Sequence, residues 1–109
     1  MMQDLQQGLN KLFDLLHAAL IQISKRGEEY ALAECEYRAE LSKRMLERKT
    51  EGVAATILSD VCRGEPDIAN LKFQRDCAEA KYKAALEAVN VYKLKIKSVE
   101  AQIDREWRG

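Results

Sequence analysis

Chain breakers are scarce in these 109 residues: proline occurs once and glycine five times. So few breaks exclude a chain of many short elements and favour long helices. Histidine occurs once, which removes the zinc and haem arrangements that need several His or paired Cys ligands. The three cysteines, Cys35, Cys62 and Cys77, are odd in number and irregularly spaced. They match neither a disulfide framework nor a Cys-x-x-Cys site, and the expectation is buried thiols in a reducing cytosol. An excess of charge of one sign is also missing, since 18 basic side chains meet 18 acidic ones. That balance argues against a protein whose task is to coat DNA. No Gly-rich phosphate loop, no Gly-x-Ser-x-Gly elbow and no Glu-x-x-His pair occurs. We expect no enzyme, no cofactor, no metal and no small-molecule substrate.

Long apolar runs are missing as well. The most apolar stretch, residues 12–23, covers about half to two-thirds of a membrane span and is interrupted by Asp14, His17 and Gln22. It reads as a core helix, with no membrane partner. His17, the lone histidine within it, reads as a structural residue at the edge of a core or interface. The N-terminus has no basic stretch before an apolar run, so it does not resemble a secretory signal.

What the chain does have is helical periodicity. Ile68, Leu71, Arg75, Ala78, Tyr82, Ala85, Val89, Tyr92, Ile96, Val99 and Ile103 step three and four residues alternately. This heptad seam predicts a helix over 67–107 that lies along another helix. A second seam, Leu5, Leu9, Leu12, Leu16, Ala19, Ile23, Tyr30, Ala33, Tyr37, Leu41 and Met45, predicts a helix over 3–49. Gly27 is its one weak point, and a glycine inside a long packed helix costs only about 1 kcal/mol against alanine, so the helix is expected to continue. Between the two rods a short helix is expected over 55–62. Gly52 would end the first helix in a left-handed conformation, Gly64 would end the short one, and Pro66 suits the first turn of the last. The expected short helix turns Val53, Ile57, Leu58 and Val61 inward. The fold class is therefore all-α: a single domain, residues 1–109, forming a long antiparallel helical hairpin with a short connecting helix. With 47% hydrophobic residues the composition is far too apolar for disorder.

The final helix carries a second apolar face. Phe73, Cys77, Ala80, Ala84, Val91, Leu94, Ser98 and Ala101 lie about 200° around from the seam at 100° per residue, with Glu87 the one charged interruption. On the first helix Phe13, Leu15, Leu20 and Ile21 flank the seam in the same way. An isolated hairpin would leave these residues in water. Two hairpins packed into a four-helix bundle would bury them, so a homodimer is expected, and the competing use of the face is helix-in-groove binding of another protein. The interface candidates are Phe13, Leu20, Phe73, Cys77, Ala80, Ala84, Val91, Leu94 and Ala101. Trp107 reads as the last packed residue of the bundle, or as an anchor in a partner's pocket.

Nucleic acid is the alternative partner. Lys81, Lys83, Lys93, Lys95 and Lys97 cluster on the final helix, with Lys43, Arg44, Arg48 and Lys49 near the end of the first, and such a lysine-rich face could take phosphates. Elsewhere the charges alternate as on a solvated helix surface, with pairs three or four apart. The segment 52–64 has a superficial likeness to the turn and recognition helix of a helix-turn-helix, but Arg48 stands where that motif wants a small residue for close crossing. A purely structural assembly spacer would need only the rod.

The run Tyr37-Arg-Ala-Glu-Leu-Ser-Lys-Arg-Met-Leu, then Ala54-Ala-Thr-Ile-Leu-Ser-Asp with Arg63-Gly64, then Leu71-Lys-Phe-Gln-Arg-Asp and Asn90-Val-Tyr-Lys-Leu-Lys-Ile up to Glu106-Trp107, resembles a group of small helical proteins. These are encoded by phages and prophages of Gram-positive bacteria, often among early genes near recombination functions. The resemblance spans about residues 20–107. It implies an accessory protein in the cytoplasm of an infected or lysogenic host, and it assigns no role to individual residues. The expected function is non-enzymatic: binding a host or phage protein, a nucleic-acid-processing enzyme, as small inhibitors of defence nucleases such as anti-CRISPR proteins do.

Overall fold

The computed structural model describes residues 1–109. Three helices follow one another: α1, Met2–Thr50; α2, Ala55–Arg63; and α3, Pro66–Arg108. Every bound lies within one residue of the expected one, the variation helix ends commonly show. There are no strands, and α1 and α3 pair as a long antiparallel hairpin. The helix runs through Gly27 without a break.

The seams account for the pairing. Each seam residue of α3, from Ile68 to Ile103, is buried or half-buried, and so is each seam residue of α1 from Leu5 to Met45. The chain divides into two compact units. One, the terminal unit, joins Met1–Lys25 to Tyr82–Gly109; the other, the turn unit, is Arg26–Lys81. The terminal unit buries Leu9, Val89 and Ile96, and the turn unit buries Tyr37, Leu58, Cys62 and Ile68.

At the end of α1 the backbone turns through Gly52, whose φ of 95° is the only positive φ in the chain. The Val53 N–H donates to Arg48 O at 3.0 Å and the Gly52 N–H donates to Lys49 O at 3.1 Å. These two bonds are the Schellman closure, which satisfies carbonyls the helix would otherwise leave open. Gly64 ends α2, as expected. It closes α2 in right-handed geometry, φ −82°, with its own N–H donating to Asp60 O and the Glu65 N–H to Cys62 O, so no left-handed residue is needed there. Pro66 opens α3, where a missing N–H is harmless.

Of the four residues expected to turn inward at α2, Leu58 does and Val53 is half-buried, but Ile57 and Val61 do not. Leu58 and Cys62, four residues apart, are buried, whereas Ile57 and Val61 are exposed. A helix of nine residues can offer only one narrow stripe to the hairpin, and Ile57 and Val61 sit a residue step of about 100° away from it. The thiols also divide: Cys62 is buried, Cys77 is half-buried and Cys35 is exposed. Cys35 lies two residues from both Ala33 and Tyr37, which places it about 200° from the seam.

Candidate protein-interaction surface

Charge organises the turn unit. Arg44 and Arg48, one helical turn apart on α1, face Glu65 and Asp67 at the start of α3. Arg44 Nη1 donates to Glu65 Oε2 at 2.9 Å and to Asp67 Oδ1 at 3.0 Å, and Arg48 Nε donates to Glu65 Oε1 at 2.7 Å. The Arg44 hydrogen bond holds the Glu65 carboxyl below its ordinary range, partial desolvation opposing it and Arg48 reinforcing it. Asp67 is lowered first by Arg44 as well, with help from the Ile68 backbone N–H. Arg44 and Arg48 are raised in turn by these hydrogen bonds. The carboxylates also sit at the positive end of the α3 dipole, which favours them further. The four-residue basic cluster expected near the end of α1 thus loses Arg44 and Arg48 to intramolecular pairs. Arg48 occupies the position where a helix-turn-helix would place a small side chain, because here it clamps the turn.

A second polar group interrupts the seam. Arg75, at a seam position of α3, pairs with Glu34 of α1, and its guanidinium lies 6.0 Å from the centroid of the Tyr37 ring. Tyr30 Oη donates to Glu79 Oε2 at 3.0 Å. Hydrogen bonding to Tyr30 raises the Arg75 pKa, against partial desolvation, with Glu34 adding to it. A single polar residue in an apolar seam fixes helix register, because a slip would strand the charge against apolar neighbours.

The interface candidates lie on two helices. Phe13 and Leu20, one heptad apart, are exposed on one flank of α1 in the terminal unit. On α3 the face turned away from α1 carries Ala84, Val91, Leu94 and Ala101 in the terminal unit, all exposed, and Phe73, Cys77 and Ala80 in the turn unit. Leu94 is 67% exposed and Phe73 66%, whereas Cys77 is only half-buried.

The lysines are likewise divided. Lys81, Lys83, Lys93, Lys95 and Lys97 are all exposed. Lys93 and Lys97 share one row of α3, while Lys95 lies about 160° from each in the helix projection, with its Nζ 5.9 Å from the Tyr92 ring centroid. The rows flank the apolar back of the helix and do not form one phosphate-binding face. Trp107 is 83% exposed in the single chain. It forms one wall of a shallow groove of about 310 Å³ shared with Gln6, Leu9 and Ile103. His17 is exposed.

No group of three or more His, Cys, Asp or Glu stands close enough to hold a metal ion. No helix is long and apolar enough to cross a membrane. Comparison with protein-family models, curated proteins and solved structures gives no match.

Proposed function

We propose that this chain is a non-enzymatic helical module that forms a homodimer and acts by protein–protein binding through the outer face of α3. The observation that carries the reading is the exposure of Leu94 and Phe73 on a helix whose opposite side is already used by α1. Exposed apolar stripes of this kind mark interfaces, because leaving them in water costs free energy that a partner recovers. The small side chains Ala80, Ala84 and Ala101 on the same face allow a second helix to approach closely. The partner class follows from the sequence resemblance to phage accessory proteins: a host or phage nucleic-acid-processing enzyme in the bacterial cytoplasm, inhibited or assisted by the bound rod.

The test combines light scattering with affinity capture from infected-cell lysate under nuclease treatment. A mass near twice 12.4 kDa, with stoichiometric capture of such an enzyme, supports the proposal. Leu94→Asp is expected to abolish capture while the far-ultraviolet circular dichroism stays helical. Capture that persists in the folded variant rules out the α3 face. Partners that vanish on nuclease treatment would transfer the argument to nucleic acid.

A further inference from the structure

Within the turn unit a cleft of about 520 Å³ draws cations from all three helices: Arg38 of α1, Arg63 of α2, and Lys72 and Arg75 of α3. Glu34 is the one carboxylate in its wall, and Ser42 adds a hydroxyl. Two of the four cations share that carboxylate, since Glu34 pairs with both Arg38 and Arg75. Lys72 is turned to Asp76 at 3.0 Å, a residue outside the cleft lining. Arg63 pairs with no carboxylate at all and is exposed at the end of α2. The bland role for Arg63 is to complement the negative end of the α2 dipole, which a cation in the last turn does. That role does not explain why three further cations meet it around the same opening.

We infer that this cleft is a binding site for a small, multiply charged phosphate anion of nucleotide size. Asp76 and Glu79, outside the lining, also pair with Arg75, so Glu34, Asp76 and Glu79 offset most of the four cations; Arg63 is the one left without a carboxylate and keeps the opening electropositive, a field that a partly walled cleft focuses. Three of the four are arginines, whose planar forks offer paired N–H donors matched to phosphate oxygens. A monovalent anion reaches one of these cations, whereas a di- or triphosphate can engage Arg63 together with its neighbours. The volume lies within the roughly 300–1,000 Å³ of ordinary ligand sites, and Leu41 and Met45 give it an apolar portion against which a base or sugar can rest. The site is independent of the α3 outer face and of any partner that binds there.

Isothermal titration at low ionic strength tests it, with inorganic tripolyphosphate, ATP, and a short single-stranded oligonucleotide with and without a 5′-phosphate. Saturable one-site binding of tripolyphosphate or ATP is expected, weakened at least about tenfold by Arg63→Glu because charge reversal replaces attraction with repulsion. Arg63 has no intramolecular ion pair, so the variant is expected to stay folded, losing only the small helix-dipole contribution to its melting temperature. Lys97→Glu, in the terminal unit, is expected to leave binding unchanged. Tighter binding of ATP than of either oligonucleotide assigns a free nucleotide, and preference for the 5′-phosphorylated strand assigns a strand terminus. Absence of saturable binding, or binding indifferent to Arg63→Glu in the folded protein, overturns the proposal. Equal affinity for both oligonucleotides, lost on Lys97→Glu, overturns it in favour of backbone coating by α3.

Discussion

The turn unit and the terminal unit use the same two helices with different chemistry between them. In the turn unit α1 and α3 are joined by Arg44 and Arg48 against Glu65 and Asp67, and by Arg75 against Glu34. In the terminal unit the buried residues are Leu9, Val89 and Ile96, and Phe13, Leu20, Val91 and Leu94 are left exposed outside the seam. The difference separates specification from association. Hydrogen-bonded charges tolerate few alternative registers, whereas an apolar seam with additional apolar residues outside it can gain by packing on another chain. The charge pairs of the turn unit therefore define how the hairpin closes, while exposed apolar residues outside the seam occur in both units, Phe73 in one and Leu94 in the other.

The largest effect is expected where the turn unit is driest. Ile68 is 0% exposed and packs in the unit that also buries Cys62, so Ile68→Ala should destabilise by about 3–5 kcal/mol in chemical denaturation. Ile96→Ala, the equivalent truncation in the terminal unit, should cost about 2–3 kcal/mol, and less if the terminal helices relax into the space. Reversal of that order would remove the distinction between the units. Next, Gly52→Ala should cost roughly 1–2 kcal/mol, because a Cβ at φ 95° meets the backbone even though the surrounding space is open. Thermal melting with and without the substitution reads this directly.

Acid should act on the turn unit by a smaller amount. Glu65 and Asp67 have folded pKa values below their unfolded values of about 4. The unfolded chain then binds more protons through that range, so the clamp's contribution is full above about pH 5 and is lost as pH falls through the folded values. The melting temperature should therefore drop below about pH 4. The double variant Glu65→Gln with Asp67→Asn should start lower at neutral pH and show a flatter acid limb; an unchanged acid limb would mean that these carboxylates do not contribute. The smallest effect is expected from Trp107→Ala, within about 0.5 kcal/mol in the isolated protein, since the ring is largely in solvent. A larger loss would show that Trp107 packs on another molecule, and fluorescence quenching by iodide would confirm its burial there.

Helix number, helix bounds and the inward seams were legible because they rest on local rules: three-and-four spacing, glycine at the end of α1 and proline at the start of α3. The outer face of α3 was legible for the same reason, as the complement of a seam already assigned. Legibility failed where two elements meet. Arg44 and Arg48 read as part of a basic cluster because their acidic partners are 17 to 23 residues away in the chain. Arg75 read simply as a seam member, although a cation at such a position was itself the signal of a cross-helix carboxylate, and Glu34 was available on the opposite seam flank. Inward and outward residues of α2 could not be distinguished, because Ile57, Leu58, Val61 and Cys62 are all apolar and two helical turns contain too little pattern to choose between them.

By itself the sequence determined a pair of long helices, the side on which each is apolar, and the left-handed turn that begins the reversal, since periodicity and backbone sterics act over a few residues. Only the tertiary structure decided which charges neutralise one another, which thiol is buried, that Trp107 stays in solvent, and that Arg38, Arg63, Lys72 and Arg75 open on one cleft. Those outcomes depend on residues distant in the chain being brought together, and attraction or burial between them has no counterpart in local spacing.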